Sequence, residues 1–254
     1  MRLGLITTGQ GPRSQYAVYH ERLARALGMR VETGMAHILD DLDWEDIRPH
    51  LAREGEDRLG AHVKVPGATG NRLGEGWDHV YVSLVWSIAH FQRAIDRLVA
   101  GGADCILLCC ATKFDDGAFR CGVPLIRPAT MTFAVVADMA LSRPRLRLGI
   151  MSSAGHGEQD VALWRRQPFA DRLDIAYEPF EGNLLPAAER LSREKRDLVV
   201  IWSYGLGTHP ADPEGLAGRL EKTFGCPVLM PHRIAALHAL SILPAGFDDH
   251  RFAV

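Results

Sequence analysis

Three short stretches put reactive side chains next to backbone that could hold an anion. The first is Thr7-Thr8-Gly9-Gln10-Gly11-Pro12-Arg13, directly after an apolar run. Gly9 and Gly11 free the backbone to turn tightly, Pro12 suits the first turn of a helix, and Arg13 follows. Amides at a helix N-terminus attract anions and a guanidinium adds a bidentate partner, so this turn is expected to hold a carboxylate or phosphate. The plainer alternative is a glycine turn beside a solvated arginine. The second stretch is Cys109-Cys110-Ala111-Thr112, closing another apolar run. Alternation sends the two thiols to opposite faces. Cys110, the last residue of the run and close to Thr112, is the candidate base or nucleophile, whereas Cys105 and Cys109 read as inert packing. The third stretch is Ser203-Tyr204-Gly205. It lacks the first glycine of a nucleophile elbow, and the nearby His209 and Asp212 do not by proximity make a triad. Ser203 is therefore expected to hydrogen-bond rather than attack, with Ser152 and Ser153 in a similar role. Lys113 and His209 are expected at the surface.

Other chemistries find less support. The five cysteines are odd in number and lack a CxxC pair, and the eleven histidines show no HExxH spacing. Neither a disulfide framework nor a metal site is expected. Gly9 to Ser14 comes close to a GxGxxG dinucleotide fingerprint, and Glu32 lies where a ribose-binding acid would stand. Ser14 replaces the third glycine, however, so nucleotide binding is kept only as a third reading. Lys and Arg number 29 against 31 Asp and Glu, a formal net charge of −2, so no basic excess exists to neutralise nucleic-acid phosphates. The apolar start of the chain is too short for a signal-peptide core, and no run is long enough to span a bilayer. A cytoplasmic protein without a membrane partner is expected.

The elements that must position these residues alternate along the 254-residue chain, whose hydrophobic fraction is 47%. Residues 2–6, 79–84, 105–110, 123–126, 147–151, 173–177, 198–202 and 227–230 read as strands, apolar enough to be covered on both faces as in a parallel sheet. Between them, Val85, Ile88, Phe91, Ile95, Leu98 and Val99 fall at helical spacing, and Gly101-Gly102 ends that helix. A second helix is expected over 212–224, with Asp212 as N-cap, Pro213 in its first turn, and Leu216 and Leu220 facing inward. The pattern predicts an α/β fold.

The chain also echoes itself. RLGLITTGQG (2–11) returns as RLGIMSSAGH (147–156). Asp104 precedes Cys110 by six residues, as Asp197 precedes Ser203, and GVPLIRP (122–128) returns as GCPVLMP (225–231). The economical reading is two similar α/β lobes, with the turns after Ile6, Cys110, Met151 and Ser203 converging on one small polar cleft.

The opening LGLITTGQGPR, HILDDLDWEDIRP (37–49), TGNRLGEGWDHVYVS (69–83), GGADCILLCCATKF (101–114), RLGIMSSAGHGEQDVALW (147–164), DLVVIWSYGLG (197–207) and CPVLMPHRIAALHAL (226–240) resemble the AroM protein family. AroM proteins are in turn similar to the aspartate/glutamate racemase superfamily. That resemblance implies two pseudo-symmetric lobes, each a mostly parallel sheet flanked by helices, with the cleft between them. The first lobe is expected over 1–125 with 232–254 and the second over 126–231. Cofactor-independent racemases of that superfamily use one cysteine per lobe, on either side of the substrate α-carbon. By position Cys110 matches the first and Ser203 the second. A serine scarcely titrates near neutral pH, so two-base racemisation is not expected. The resemblance implies a cofactor-independent isomerase or lyase acting on a small carboxylic acid through one thiol. Thr7, Thr8, Gly9, Gln10, Gly11, Arg13, Ala111, Thr112, Ser152, Ser153, Tyr204 and Gly205 would line the ligand. A non-catalytic binding protein on the same scaffold is the alternative, and fold analogy suggests a homodimer.

Overall fold

The apolar run at the start of the chain becomes a central strand, because Leu3, Leu5 and Ile6 are fully buried and need cover on both faces. The computed structural model describes residues 1–71, 73–206, 208 and 215–243. It divides into two units, one of Met1–Ile126 with the C-terminal residues from His238, the other of Arg127–Leu237.

In the first unit β1 (Arg2–Thr7) leads through α1 (Ser14–Ala26) to β2 (Glu32–His37), and α2 (Trp44–Ile47) opens an excursion through β3 (Arg58–Lys64) and β4 (Trp77–Ser83). The chain returns by α3 (Leu84–Ala100) to β5 (Cys105–Leu108) and β6 (Leu125–Ile126). The sheet is parallel in the order β2-β1-β5-β6. In the second unit α4 (Pro128–Leu141) precedes β7 (Leu146–Ser153), α5 (Gly157–Arg165), β8 (Leu173–Phe180), α6 (Leu185–Leu191), β9 (Leu198–Ile201), α7 (Leu216–Phe224), β10 (Val228–Leu229) and α8 (Pro231–Ile242). Helix α8 crosses the boundary near its own middle. The second sheet, also parallel, is ordered β8-β7-β9-β10. The two topologies are the same.

The repeat holds at the level of single hydrogen bonds. Leu3, Gly4, Leu5 and Ile6 pair with Cys105, Ile106, Leu107 and Leu108, as Leu148, Gly149, Ile150 and Met151 pair with Leu198, Val199, Val200 and Ile201. Beyond the paired residues, Cys109 donates its N–H to Ile6 O at 2.7 Å and Trp202 donates to Met151 O at 2.7 Å. Cys110 and Ser203 therefore occupy equivalent positions. At the opposite end, Asp104 exchanges bonds with the Arg2 backbone, accepting from Arg2 N at 2.8 Å and donating its own N–H to Arg2 O at 2.8 Å. Asp197 does the same with Arg147, at 2.9 Å each way. Glycine recurs where a helix crosses the middle strand: a Cβ on Gly4 would lie 3.1 Å from Leu98 Cδ1, and one on Gly149 2.9 Å from Leu191 Cδ2.

Several expectations are corrected. The strand expected over 79–84 is β4, and it pairs antiparallel with β3 in a separate two-stranded sheet. One face of this hairpin is buried through Leu59, Ala61, Val63 and Val82, and the other is half-exposed. Val85 does not face inward but is 76% exposed, because the buried stripe of α3 runs through Ser87, Phe91, Ala94, Ile95 and Leu98. Helix α1 starts at Ser14 with Arg13 as its N-cap, so Pro12 precedes the helix instead of sitting in its first turn. Helix α7 starts from Gly215, whose φ of 68° suits a residue without a Cβ. Asp212 and Pro213 lie outside the described residues.

Candidate functional site

Parallel strands present their ligand-binding turns at their carboxyl ends. At that end of the first sheet, Thr7 closes β1, His37 closes β2, and Cys109 and Cys110 follow β5. Thr7 is buried and its Oγ1 lies 2.6 Å from His37 Nδ1. The turn that follows is held from two sides by protein. Gly9 bridges to His62 of the hairpin, and Gln10 donates its N–H to His62 O at 2.9 Å. The Gln10 side chain is committed as well: Oε1 accepts from Lys64 N at 2.6 Å and Nε2 donates to Leu42 O at 2.7 Å. A Cβ on Gly9, whose φ is 95°, would lie 2.2 Å from His62 O, and one on Gly11 would lie 2.3 Å from His37 Cδ2. Gly11 in turn donates its N–H to Asp40 Oδ1 at 2.7 Å. Thr8 is half-buried between these anchors.

That arrangement tells against the nucleotide reading. The glycines that a dinucleotide fingerprint would turn toward a pyrophosphate instead make room for the His62 backbone and the His37 ring. Glu32 pairs with Arg2 at the amino end of the sheet, the wrong end for a ribose.

Arg13 is the unusual residue of the turn. It is 3% exposed, its guanidinium stands 5.4 Å from the Tyr16 ring centre, and Nη2 donates to Tyr16 Oη at 3.2 Å. Its Nε and Nη1 are buried without a hydrogen-bond partner among the described residues. A guanidinium has five N–H donors and cannot lose its charge, so such burial calls for an acceptor. His37 responds to this cation. Burial holds its imidazole below the usual value of 6.5, Asp40 pulls it back up, and Arg13 and Arg97 push it further down. His37 is neutral at neutral pH.

Cys110 is 7% exposed, and burial pushes its thiol up to about 12, against which the backbone N–H and hydroxyl of Thr112 act as donors. It is a thiol, not a thiolate, at neutral pH. Cys105 is likewise raised to about 12 by burial. Cys105 and Cys109 are buried within the strand and its exit, and Ala111 and Thr112 are half-buried beyond it. Lys113, expected at the surface, is half-buried there: Nζ donates to Phe114 O at 2.9 Å and stands 3.5 Å from the exposed Asp116.

In the second unit Ser152 and Ser153 close β7, and Ser203, Tyr204 and Gly205 follow β9. Ser152 is fully buried with its Oγ 3.1 Å from Tyr177 Oη. Ser203 is half-buried and donates its N–H to Ile201 O at 2.8 Å. Tyr204 is buried with its ring edge-on to His232 at 6.0 Å, and Gly205 O accepts from Thr208 Oγ1 at 3.0 Å. Phe133, Trp164 and Trp202 pack together beneath, with ring centres 4.6 to 5.3 Å apart. His209 lies outside the described residues. No cluster of three or more His, Cys, Asp or Glu side chains able to hold a cation occurs among the described residues.

A duplicated parallel unit with a thiol and a hydroxyl at matched strand ends can be set beside known proteins. The profile of the AroM protein family matches residues 3–243. The chain belongs to the AroM family. No curated protein matches it. Among solved structures it is similar to allantoin racemase from Klebsiella pneumoniae, at 14% identity and a TM-score of 0.55 over 98% of this chain and 91% of that one. Maleate cis-trans isomerase from Nocardia farcinica bound to TRIS matches at 15% identity and a TM-score of 0.55, over 100% and 99% of the two chains. A cysteine-to-serine mutant of that isomerase, with a covalently bound succinylcysteine intermediate, matches at 15% identity and 0.51 over 96% of each. At such identities the likeness is one of fold, and this AroM protein has the racemase-like α/β fold. None of its described helices is long and apolar enough to cross a membrane.

Sequence reasoning missed His37, Asp40, His62 and Tyr177. Only the pairing of β1 with β2, and of Gly9 with His62, brings the first three to the glycine turn.

Proposed function

We propose that the protein is a cofactor-independent isomerase or lyase acting on a small carboxylic acid, with Cys110 as its acid–base group. One observation carries this reading. The carboxyl end of a single sheet holds both a thiol backed by Thr112 and the buried Arg13, two of whose nitrogens lack partners among the described residues. A carboxylate is the natural acceptor for that guanidinium. The similar folds, a racemase and an isomerase with a succinylcysteine form, lend support by analogy. In this reading Thr7, Thr8, Gly9, Gly11 and Ala111 shape the ligand's surroundings. Ser152, Ser153, Ser203, Tyr204 and Gly205 hold the equivalent positions in the second unit. The setting is the cytoplasm, with a homodimer by fold analogy.

The protonation of Cys110 selects among reactions. A thiol raised to about 12 keeps its proton at neutral pH, which suits donation to a carbanion better than attack on a double bond. In the decarboxylation of a substrate with two carboxylates on one carbon, the bond to the leaving carboxylate breaks, CO2 departs, and the remaining carboxylate takes up the electron pair as an enediolate. The S–H proton moves to its α-carbon, and water returns a proton to the thiolate. Donors at the turn stabilise the developing anion. The test is incubation with a panel of small carboxylates in deuterated water. Cys110-dependent product or α-deuteration is expected, and its absence across a broad panel tells against the reading. The raised thiol and the serine at position 203 favour a second reading, a binding protein without turnover. It predicts ligand stabilisation that Cys110→Ser leaves unchanged.

A further inference from the structure

The hydroxyl that ends the first strand of each repeat is held from the second strand of the same sheet. In the first unit Thr7 pairs in register with His37, and their side chains meet at 2.6 Å. In the second unit the equivalent residue is Ser152, and Tyr177 of the neighbouring strand reaches its hydroxyl at 3.1 Å. The partners differ chemically, one imidazole and one phenol, yet each can give a proton to the hydroxyl oxygen. Both hydroxyls are buried at the carboxyl ends of their strands.

For His37 the geometry sets the direction of the bond. The point where a Cβ on Gly11 would sit is 2.4 Å from Nε2 and 2.3 Å from Cδ2, so that edge of the ring packs against the Gly11 backbone. Among the described residues the ring's hydrogen bond is at Nδ1. A neutral imidazole has one N–H, and a proton on Nε2 would go unused, whereas on Nδ1 it meets an acceptor. From this we infer that His37 is a positioning residue: its Nδ1–H donates to Thr7 Oγ1 and so leaves the Thr7 O–H to donate to an anionic ligand. Tyr177, the more acidic of two hydroxyls, does the same for Ser152. The inference rests on the carboxylate reading and deepens it, for it makes the strand-end hydroxyls donors that favour an anion and disfavour a hydrogen-bond donor.

Nitrogen-15 NMR of the full-length protein at mildly alkaline pH reads the tautomer of His37 without any ligand. An Nδ1-protonated ring is expected, and an Nε2-protonated ring overturns the assignment. Thermal stabilisation by malonate, maleate and succinate reads the consequence. His37→Asn, whose amide keeps a donor near Nδ1, should retain at least half of the wild-type shift. His37→Leu and Thr7→Val should each lose most of it. An unchanged shift in His37→Leu sinks the positioning role, even where the variant is less stable overall. A panel that fails to stabilise the wild-type protein removes the carboxylate reading, while the tautomer measurement still decides the assignment of His37.

Discussion

Gly11 has one hydrogen where any other residue would place a carbon against the His37 ring, 2.3 Å from Cδ2. Gly11→Ala is therefore expected to push the imidazole off Thr7 and cost about 1–3 kcal/mol, as overpacking does. Chemical denaturation measures the cost, and the His37 resonances should move with it. Cys110 sets a second expectation. Its thiol titrates near 9 when unfolded and near 12 when folded, so between those values the unfolded chain binds fewer protons. Stability should fall as pH rises through that window, and Cys110→Ala should flatten the fall. Alkylation of Cys110 near neutral pH should be slow and accelerate with alkali; fast alkylation would contradict a buried, protonated thiol. Arg13 and Cys110 are legible in the sequence because each sits beside its own turn. His37 and His62 are not, since they enter the site from strands many residues further on.

Single elements show why some strands stand out in the sequence and others do not. Strands β5 and β9 are buried along their whole length and read as apolar runs. Strand β2, ETGMAH, buries only Gly34 and Ala36, residues too small to register as hydrophobic. Its counterpart β8 does read as a strand, so the internal repeat already requires one there. Strand β3 buries alternate residues and reads polar because the other face is only half-buried. Helix α1 carries a burial signal of a different kind. His20 is fully buried with Nδ1 donating to Tyr16 O at 2.6 Å, and burial lowers its pKa to about 4. The unfolded chain takes up this proton near 6.5 and the folded one only near 4. Stability from this group is complete above 6.5 and drains away as pH falls toward 4, by up to about 1.4 kcal/mol per unit. Replacing His20 with Leu should remove that slope from a set of denaturation curves at different pH.

Across the whole molecule the duplication predicts matched responses. Gly4→Ala and Gly149→Ala should both destabilise, Gly149→Ala the more, because its new Cβ meets Leu191 at 2.9 Å and Val199 at 3.1 Å. Equal tolerance of the two alanines would contradict the shared packing. Asp197 is held far below the usual carboxylate range by the Arg147 guanidinium, which donates to it at 2.7 and 3.1 Å. Asp197→Asn is expected to cost about 1–3 kcal/mol, read by fluorescence of Trp164 and Trp202 in the same unit. The paired aspartates also differ in one respect. Asp104 reaches back 102 residues to Arg2, while Asp197 reaches back only 50 to Arg147. The difference is the excursion through α2, β3 and β4, which the second repeat replaces with the short link from Phe180 to Leu185. The longer closure costs about 0.6 kcal/mol more in chain entropy, and its distant contacts are slower to find. During refolding, amide protection should therefore arise first in β7 and β9, with the half that carries Cys110 the last to assemble.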